Sequence, residues 1–348
     1  MGIFTPENLK ALFKPKKRRY IKRDREDAAQ QLWKDYFAEN PVFPPEYFRR
    51  RFRMRRQLFL RILNDITTHD NFFKQKPDAT GRMGVHPYIE DDKQYLCSSN
   101  ESDIAHLLQE GEERGFPSML GCIDCMHWEW KNCPKRWHGT HKGRGRKPTL
   151  ILEAIASKNL WIWHAFFGMA GLHIDVNVLD HSPVFNRIIN GIIPPVNYEM
   201  NGHHRTLGYY LSDGIYPKWA ALIQTIPHPT TEKDKLFAQR QEAVRKDVER
   251  AFGVLQIRWV ITHGPIYYWK KEDLSKIMRT CIILHNMIIE NEGDTNILEW
   301  TPPTDESVYL PQYNRDRSFL AAHISTRLSR IRNVENNGDL RRDLMEHL

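Results

Sequence analysis

Residues 119–126 read MLGCIDCM, seven uncharged residues around a single acid, Asp124. Three further runs share this character: TLILEAIA (149–156), LWIWHAFF (160–167) and LGYYLS (207–212). Each is short, apolar and bounded by Gly, Pro, Lys-Asn or Asp, which is how buried strands read. Helical patterns occupy 101–114, 182–190, 234–256 and 273–292. Three early strands, a helix, another strand and then helices predict an α/β fold, a mixed sheet flanked by helices.

The 348 residues are 41% hydrophobic and 27% charged, enough for about two folded units. That composition excludes collagen-like, wholly disordered and disulfide-scaffold chains. Five cysteines, an odd number in a long chain, fit a reducing compartment. No uncharged stretch is long enough to span a bilayer, and the opening MGIFTPENLKALFKPKKRRY places its basic run after a weak apolar segment, the reverse of a secretory signal. A soluble intracellular protein is expected.

The net charge is +8, and it is concentrated: residues 1–60 hold 16 Lys and Arg against 7 Asp and Glu. The polyanion-binding signal therefore belongs to the N-terminus. The reading divides the chain into a basic arm (1–46), a helical region with a linker (47–117), the α/β domain (118–292) and a polar, partly disordered tail (293–348) with a short helix near 315–332. Within the arm, Lys14, Lys16, Lys17, Arg18, Arg19, Lys22, Arg23 and Arg25 read as a nuclear import signal or a phosphate-contacting tail, or else as a solvated charge run. RRRFRMRR (49–56) runs into FLRILNDI, predicting one basic helix with Phe52, Phe59, Ile62 and Ile66 as its apolar stripe. Such a helix lies on a nucleic-acid backbone or shows its charges to water.

Three acids stand out by position. Asp124 interrupts a buried run, where an unpaired charge is costly. Asp213 ends LGYYLS and opens the turn DGIYP, at the strand edge where α/β proteins place ligands. Glu249, in KDVERAFGVLQ, flanks the core face of an amphipathic helix. Two strand acids and one helix acid converging on one point need cations, and oxygen-only ligation favours Mg²⁺ or Mn²⁺. A pair of such ions suits phosphodiester cleavage. Singly, each acid has a plainer reading as a turn or helix-surface residue. Asp180, before Ser182 and Pro183, reads as part of a helix start, whereas Asp175 is a candidate auxiliary group beside the metals.

The long motifs GCIDCMHWEWKNCP (121–134), KPTLILEAIASKNLWIWHAFFG (147–168), DVNVLDHSPVF (175–185), YYLSDGIYPKWA (209–220), FAQRQEAVRKDVERAFGVLQIRW (237–259) and CIILHNMIIE (281–290) together resemble plant PIF/Harbinger-type transposases, from about Tyr47 to Glu290. The resemblance implies an RNase H-like core with a DDE triad falling on Asp124, Asp213 and Glu249, the last two separated by 35 residues. It further implies a two-metal Mg²⁺ or Mn²⁺ site, DNA cleavage and strand transfer, nuclear location, and a separate Myb-like partner that recognises DNA. One departure is that only about fourteen residues, YIEDDKQYLCSSNE, stand where family members carry a helix-turn-helix-like segment. The complete triad favours an enzyme; the shortened segment favours a catalytically inactive DNA-binding or chromatin adaptor.

Other residues compete for roles. Lys142, Arg144 and Arg146 form a basic loop expected near DNA, and Arg245 and Arg250 flank Glu249 as candidate phosphate contacts. His127 lies near Asp124 in sequence, as a DNA or metal-water contact or as a satisfied strand-end histidine. Cys122, Cys125, Cys133, His127, His138 and His141 crowd together, but Cys122 and Cys125 fall on opposite faces of a strand, against a structural zinc. Trp128, Trp130, Trp161 and Trp163 alternate at period two, as sheet packing does.

Overall fold

The structure is a computed structural model that describes residues 25–69, 101–143, 145–185, 196–293, 325–326 and 328–348. The chain divides into two compact units, 1–88 and 89–348.

In the first unit, α1 (Arg25–Tyr36), α2 (Pro45–Phe52) and α3 (Arg56–His69) surround an aromatic cluster. Helix α1 thus lies inside the segment expected to be a basic arm, where Tyr36 and Phe37 supply rings to bury against Phe48. The single basic helix expected over 49–66 is two helices. Arg53 ends α2 in the left-handed region (φ 64°), its amide bonded to the Arg49 carbonyl at 2.8 Å. The break lets Phe52 and Phe59 approach to 5.1 Å between ring centres and lets Arg56 Nη2 donate to the Phe37 carbonyl at 2.6 Å. In α3, Ile62 and Ile66 of the expected stripe are buried, joined by Leu58, while Phe59 is half-buried against the aromatic cluster.

The second unit is built on a five-stranded sheet in the order β3-β2-β1-β6-β7, from β1 (Met119–Glu129), β2 (Thr149–Ala156), β3 (Ile162–Ala170), β6 (Tyr209–Ser212) and β7 (Leu222–Gln224). β2 runs antiparallel to β1 and β3, whereas β1, β6 and β7 are mutually parallel. This mixed sheet flanked by helices is consistent with an RNase H-like fold, as the sequence led one to expect. A separate hairpin joins β4 (Tyr198–Met200) and β5 (His203–Arg205). Even-numbered residues of β1 (Cys122, Met126, Trp128) enter the main core with α7 (Glu232–Arg258) and α9 (Lys271–Glu292). Odd-numbered Ile123 faces a smaller core that includes Ile104 of α4 (Glu101–Glu113) and Leu179 of α6 (Asp175–His181). Short helices α5 (His138–His141) and α8 (Val260–His263) complete the loops beyond β1 and α7.

Two helical expectations change. Pro183–Phe185 is one 3₁₀ turn after Ser182 caps α6, and 186–190 of the 182–190 expectation lies outside the described residues. The far end of the expected tail is α10 (Val334–His347), because Leu340 and Leu344 carry an apolar face into the main core.

Three buried carboxamides fasten helices to the sheet. Gln241 of α7 donates to the carbonyls of Ser212 and Ile223 (3.0 and 3.1 Å), Asn286 of α9 both donates to and accepts from the backbone of Ile162, and Asn337 of α10 donates to the Trp219 and Leu222 carbonyls. Each supplies partners to backbone groups at a strand end or sheet edge, where the ladder does not. No helix among the described residues is long and apolar enough to cross a membrane.

One buried charge tests the packing of α7 on the segment after α4. Asp247 is fully buried and held by Arg114 and Arg250, of which Arg114 is the more enclosed. Arg114→Ala leaves that carboxylate without its buried partner, and chemical denaturation is expected to show a loss of about 3–5 kcal/mol. Arg250→Ala, removing an exposed partner, should cost about 1 kcal/mol or less.

Candidate active site

Helix α7 opens on a capping box: Thr231 Oγ1 accepts the Asp234 amide at 3.1 Å and the Asp234 carboxylate accepts the Thr231 amide at 3.0 Å. Ten residues on, Gln241, Arg245 and Glu249 recur at every fourth position and so share one side of the helix. Gln241 ties that side to the ends of β6 and β7, and Cys122 Sγ of β1 donates to the Val244 carbonyl at 3.2 Å. These contacts lay the row across the middle of β1.

Arg245 Nη1 then lies 2.7 Å from Glu249 Oε1 and 3.5 Å from Asp124 Oδ2. One guanidinium spans two of the three sequence-predicted acids. Its Nε is buried with no hydrogen-bond partner among the described residues. The Asp124 side chain is only 17% exposed, and its Oδ1 accepts the Cys125 amide at 2.8 Å. Burial pushes its carboxyl up to about 6, helped by the charges of Asp175 and Glu249 and opposed by the Cys125 amide and Arg245.

Asp213 follows β6 directly. The pairing of Cys122 with Leu211 puts Asp213 and Asp124, each two residues further on, at the same level of neighbouring parallel strands. The Asp213 carboxylate is engaged in its own turn, accepting the Gly214 amide at 2.6 Å. Asp175 is buried in the first turn of α6, close enough for its charge to act on Asp124, Cys125 and Tyr216. The structure therefore brings Asp124, Glu249 and Arg245 into contact, sets Asp175 nearby, and leaves Asp213 level with Asp124 but facing its turn.

The donor chemistry fits a hard divalent cation: all oxygen, an excess of negative charge, and an acid whose ionisation is suppressed without added positive charge. As they stand, no three His, Cys, Asp or Glu side chains among the described residues are grouped to hold one ion. Arg245 fills the gap between two of them.

A family model described as plant transposon protein matches residues 93–296, more than half of the chain and the whole of the sheet that carries these acids. The chain belongs to this plant transposon protein family. Its similarity to a curated relative, "Protein ALP1-like" from Arabidopsis thaliana, is 25% identity over 195 residues, 52% of this chain and 45% of the relative. The chain thus spans about half the length of that relative. A second match, to a domain of unknown function, covers residues 29–67, which include most of α1 and all of α2. No solved structure matches. Membership of a Harbinger-type, transposase-derived family accords with the motifs from which the triad was read.

The remaining candidates scatter. His127 projects from the opposite face of β1 to Asp124, with Nδ1 2.9 Å from Thr149 Oγ1. Lys142 and Arg146 are exposed in the loop before β2, and Arg144 lies outside the described residues. Arg250 turns to Asp247, and exposed Lys246 is on neither partner's side. The crowded cysteines and histidines separate: Cys125 meets the Tyr216 hydroxyl, and His138 Nε2 donates to the Cys133 carbonyl. Two features escaped the sequence reading. Glu153 is fully buried on β2, bonded to Ser182 and 3.3 Å from His164, though it interrupts TLILEAIA as Asp124 interrupts MLGCIDCM. Arg245 was grouped with phosphate contacts, yet its place four residues before Glu249 is the spacing of an ion pair.

The Asp124 shift has a definite sign. With its carboxyl raised from 3.8 to about 6 in the fold, this group stabilises the protein below pH 4, and that contribution is lost as the pH rises through 6. In metal-free buffer Asp124→Asn should gain roughly 1–3 kcal/mol at pH 7 and flatten the stability profile between pH 4 and 6. Urea denaturation at pH 4, 6 and 7 measures both; a profile as steep as that of the wild type would place the titration elsewhere.

Proposed function

We propose that the chain is a divalent-metal-dependent DNA endonuclease with transposase-like chemistry, derived from an element-encoded or domesticated Harbinger transposase. The observation that carries this reading is the cation already shared by Asp124 and Glu249, beside an Asp213 level with Asp124 on the next strand. Family membership supports a transposase-related nuclease. Asp124, Asp213 and Glu249 are the residues that would hold Mg²⁺ or Mn²⁺. When bound, such ions supply charge stabilisation to the attacking and leaving oxygens of a phosphodiester.

The chain's own contributions follow from position. Asp124, on the central strand, sets a fixed reference point, since β1 is paired on both sides. Glu249 reaches the same place from α7, and Asp175 adds negative charge behind Asp124. Arg245, once its carboxylates are otherwise neutralised, is placed to meet a phosphate oxygen. Exposed Lys142 and Arg146 extend the positive surface for the DNA backbone. Strand transfer to a second DNA, nuclear location directed by the basic run from Lys14 to Arg25, and a Myb-like DNA-recognising partner belong to the same proposal.

A second reading, a catalytically idle DNA-binding or chromatin adaptor, is favoured by the lack of any three grouped acids among the described residues. A nicking assay on supercoiled plasmid separates the two. With Mg²⁺, wild type should nick, and Asp124→Asn and Glu249→Gln should each fall about 100-fold or more. Equal background from all three proteins leaves the adaptor. Saturating Mg²⁺ should also raise the melting midpoint of the wild type and leave Asp124→Asn unmoved, since only the charged cluster gains from the ion.

A further inference from the structure

After α8 the chain runs GPIYYWKK (264–271) along the end of β1, and its backbone is committed inward. The Ile266 amide donates to the Glu129 carbonyl and the Ile266 carbonyl accepts the Lys131 amide, both at 2.8 Å. Trp128 Nε1 donates to the Gly264 carbonyl, Trp130 Nε1 to that of Tyr268, and Asn132 Nδ2 to that of Tyr267. Ile266 alone enters the core, at 1% exposure. Tyr267, Tyr268 and Trp269 are left in solvent, at 63, 50 and 69%.

Because the main chain does the holding, the fold does not need these three side chains to be aromatic. Single exposed apolar residues are ordinary, but three successive large rings are not. Their surroundings are cationic. Residues 129–148 and 259–273 contain nine Lys and Arg against three acids, Glu129, Glu272 and Asp273, of which Glu129 pairs with Lys147. Lys131, Lys270 and Lys271 are exposed within or beside the strap, and Lys135 and Arg136 are exposed next to Trp137, whose ring centre lies 5.9 Å from that of Trp130 at a tilt of 45°. The strap stands at the end of the same strand that carries Asp124, six residues or roughly 20 Å further along.

We infer that Tyr267, Tyr268 and Trp269 form a stacking platform for unpaired bases of a DNA strand whose phosphates the neighbouring lysines neutralise. Exposed rings interleaved with cations bind single strands through base stacking that is tolerant of sequence. A duplex, whose bases are already stacked, gains only the phosphate contacts. The inference rests on the reading that the chain acts on DNA, and gives it a preference for the unpaired strand near the acids.

Fluorescence anisotropy of the full chain in EDTA, with a labelled 20-nucleotide single strand and the matching duplex, tests it. Tyr267→Ser/Tyr268→Ser/Trp269→Ser should weaken single-strand binding about 10- to 100-fold and duplex binding less than threefold. Lys270→Gln/Lys271→Gln should weaken both alike and lower the salt dependence of both. An unchanged melting midpoint in the aromatic variant is expected, because these rings pack against no core. Equal loss on the two DNAs, or no loss on the single strand, overturns the platform while leaving DNA binding intact. A wild type that self-associates through the strap, and becomes monomeric in the aromatic variant by sedimentation, overturns it in favour of a second copy of the chain. Wild type that binds neither DNA removes the DNA reading and the platform with it.

Discussion

The row of Gln241, Arg245 and Glu249 on α7, laid across the middle of β1 and against the end of β6, is the constraint on which the rest of the second unit depends. Gln241 takes the carbonyl at the end of β6 and one on the edge strand β7, so the helix can neither slide nor roll without leaving them without that partner. With the helix fixed there, Arg245 has one place to go, between Asp124 and Glu249. A buried acid on the central strand is tolerable because a cation from the helix stands beside it. The same arrangement holds the two acids at the spacing of a shared positive charge.

Polar groups carry much of the specificity of this fold. Asn286 and Asn337 do for β3 and β7 what Gln241 does for β6. Asp247 faces the opposite side of α7 from the row and is neutralised by Arg114, more than a hundred residues earlier. Glu153 is buried on β2 with Ser182 and His164. An apolar sheet and apolar helix faces can pack in several registers of similar burial; buried polar groups accept only the register that satisfies them. Buried acids in this fold are told apart by their partners. Asp247 is held by two arginines and Glu153 by Ser182 through one oxygen, its Oε2 having no hydrogen-bond partner among the described residues, whereas Asp124 shares a single cation with an exposed glutamate.

The outer face follows the same economy of the backbone. The strap beyond α8 spends its main-chain groups on Trp128, Trp130 and Asn132, and its rings are free to face solvent. Trp128 and Trp130 themselves are core residues whose indole N–H groups reach that strap, which is how a period-two tryptophan pair can be buried without stranding its polar edge.

Four of the five sheet strands were legible in sequence because burial on both faces leaves a continuous apolar run, and TLILEAIA is a strand from its first residue to its last; the three-residue strands β4, β5 and β7 were not, being too short to show a period. The long helices were legible because their faces repeat locally. The candidate site acids stood out by position, Asp124 as an interruption of an apolar run, Asp213 at a strand's end and Glu249 beside a helix's core face, and the motifs in their order carried the family. What escaped were contacts made between distant segments: the break at Arg53, which exists so that Phe52 and Phe59 can meet; the docking of α10 after a polar stretch; the burial of Asp247; and the choice of Arg245 for two carboxylates rather than solvent. Periodicity is a property of neighbours along the chain, so the sequence alone determined the elements and the acids' types. Which groups neutralise which charges depends on segments more than a hundred residues apart arriving at one place, and only the tertiary structure decided that.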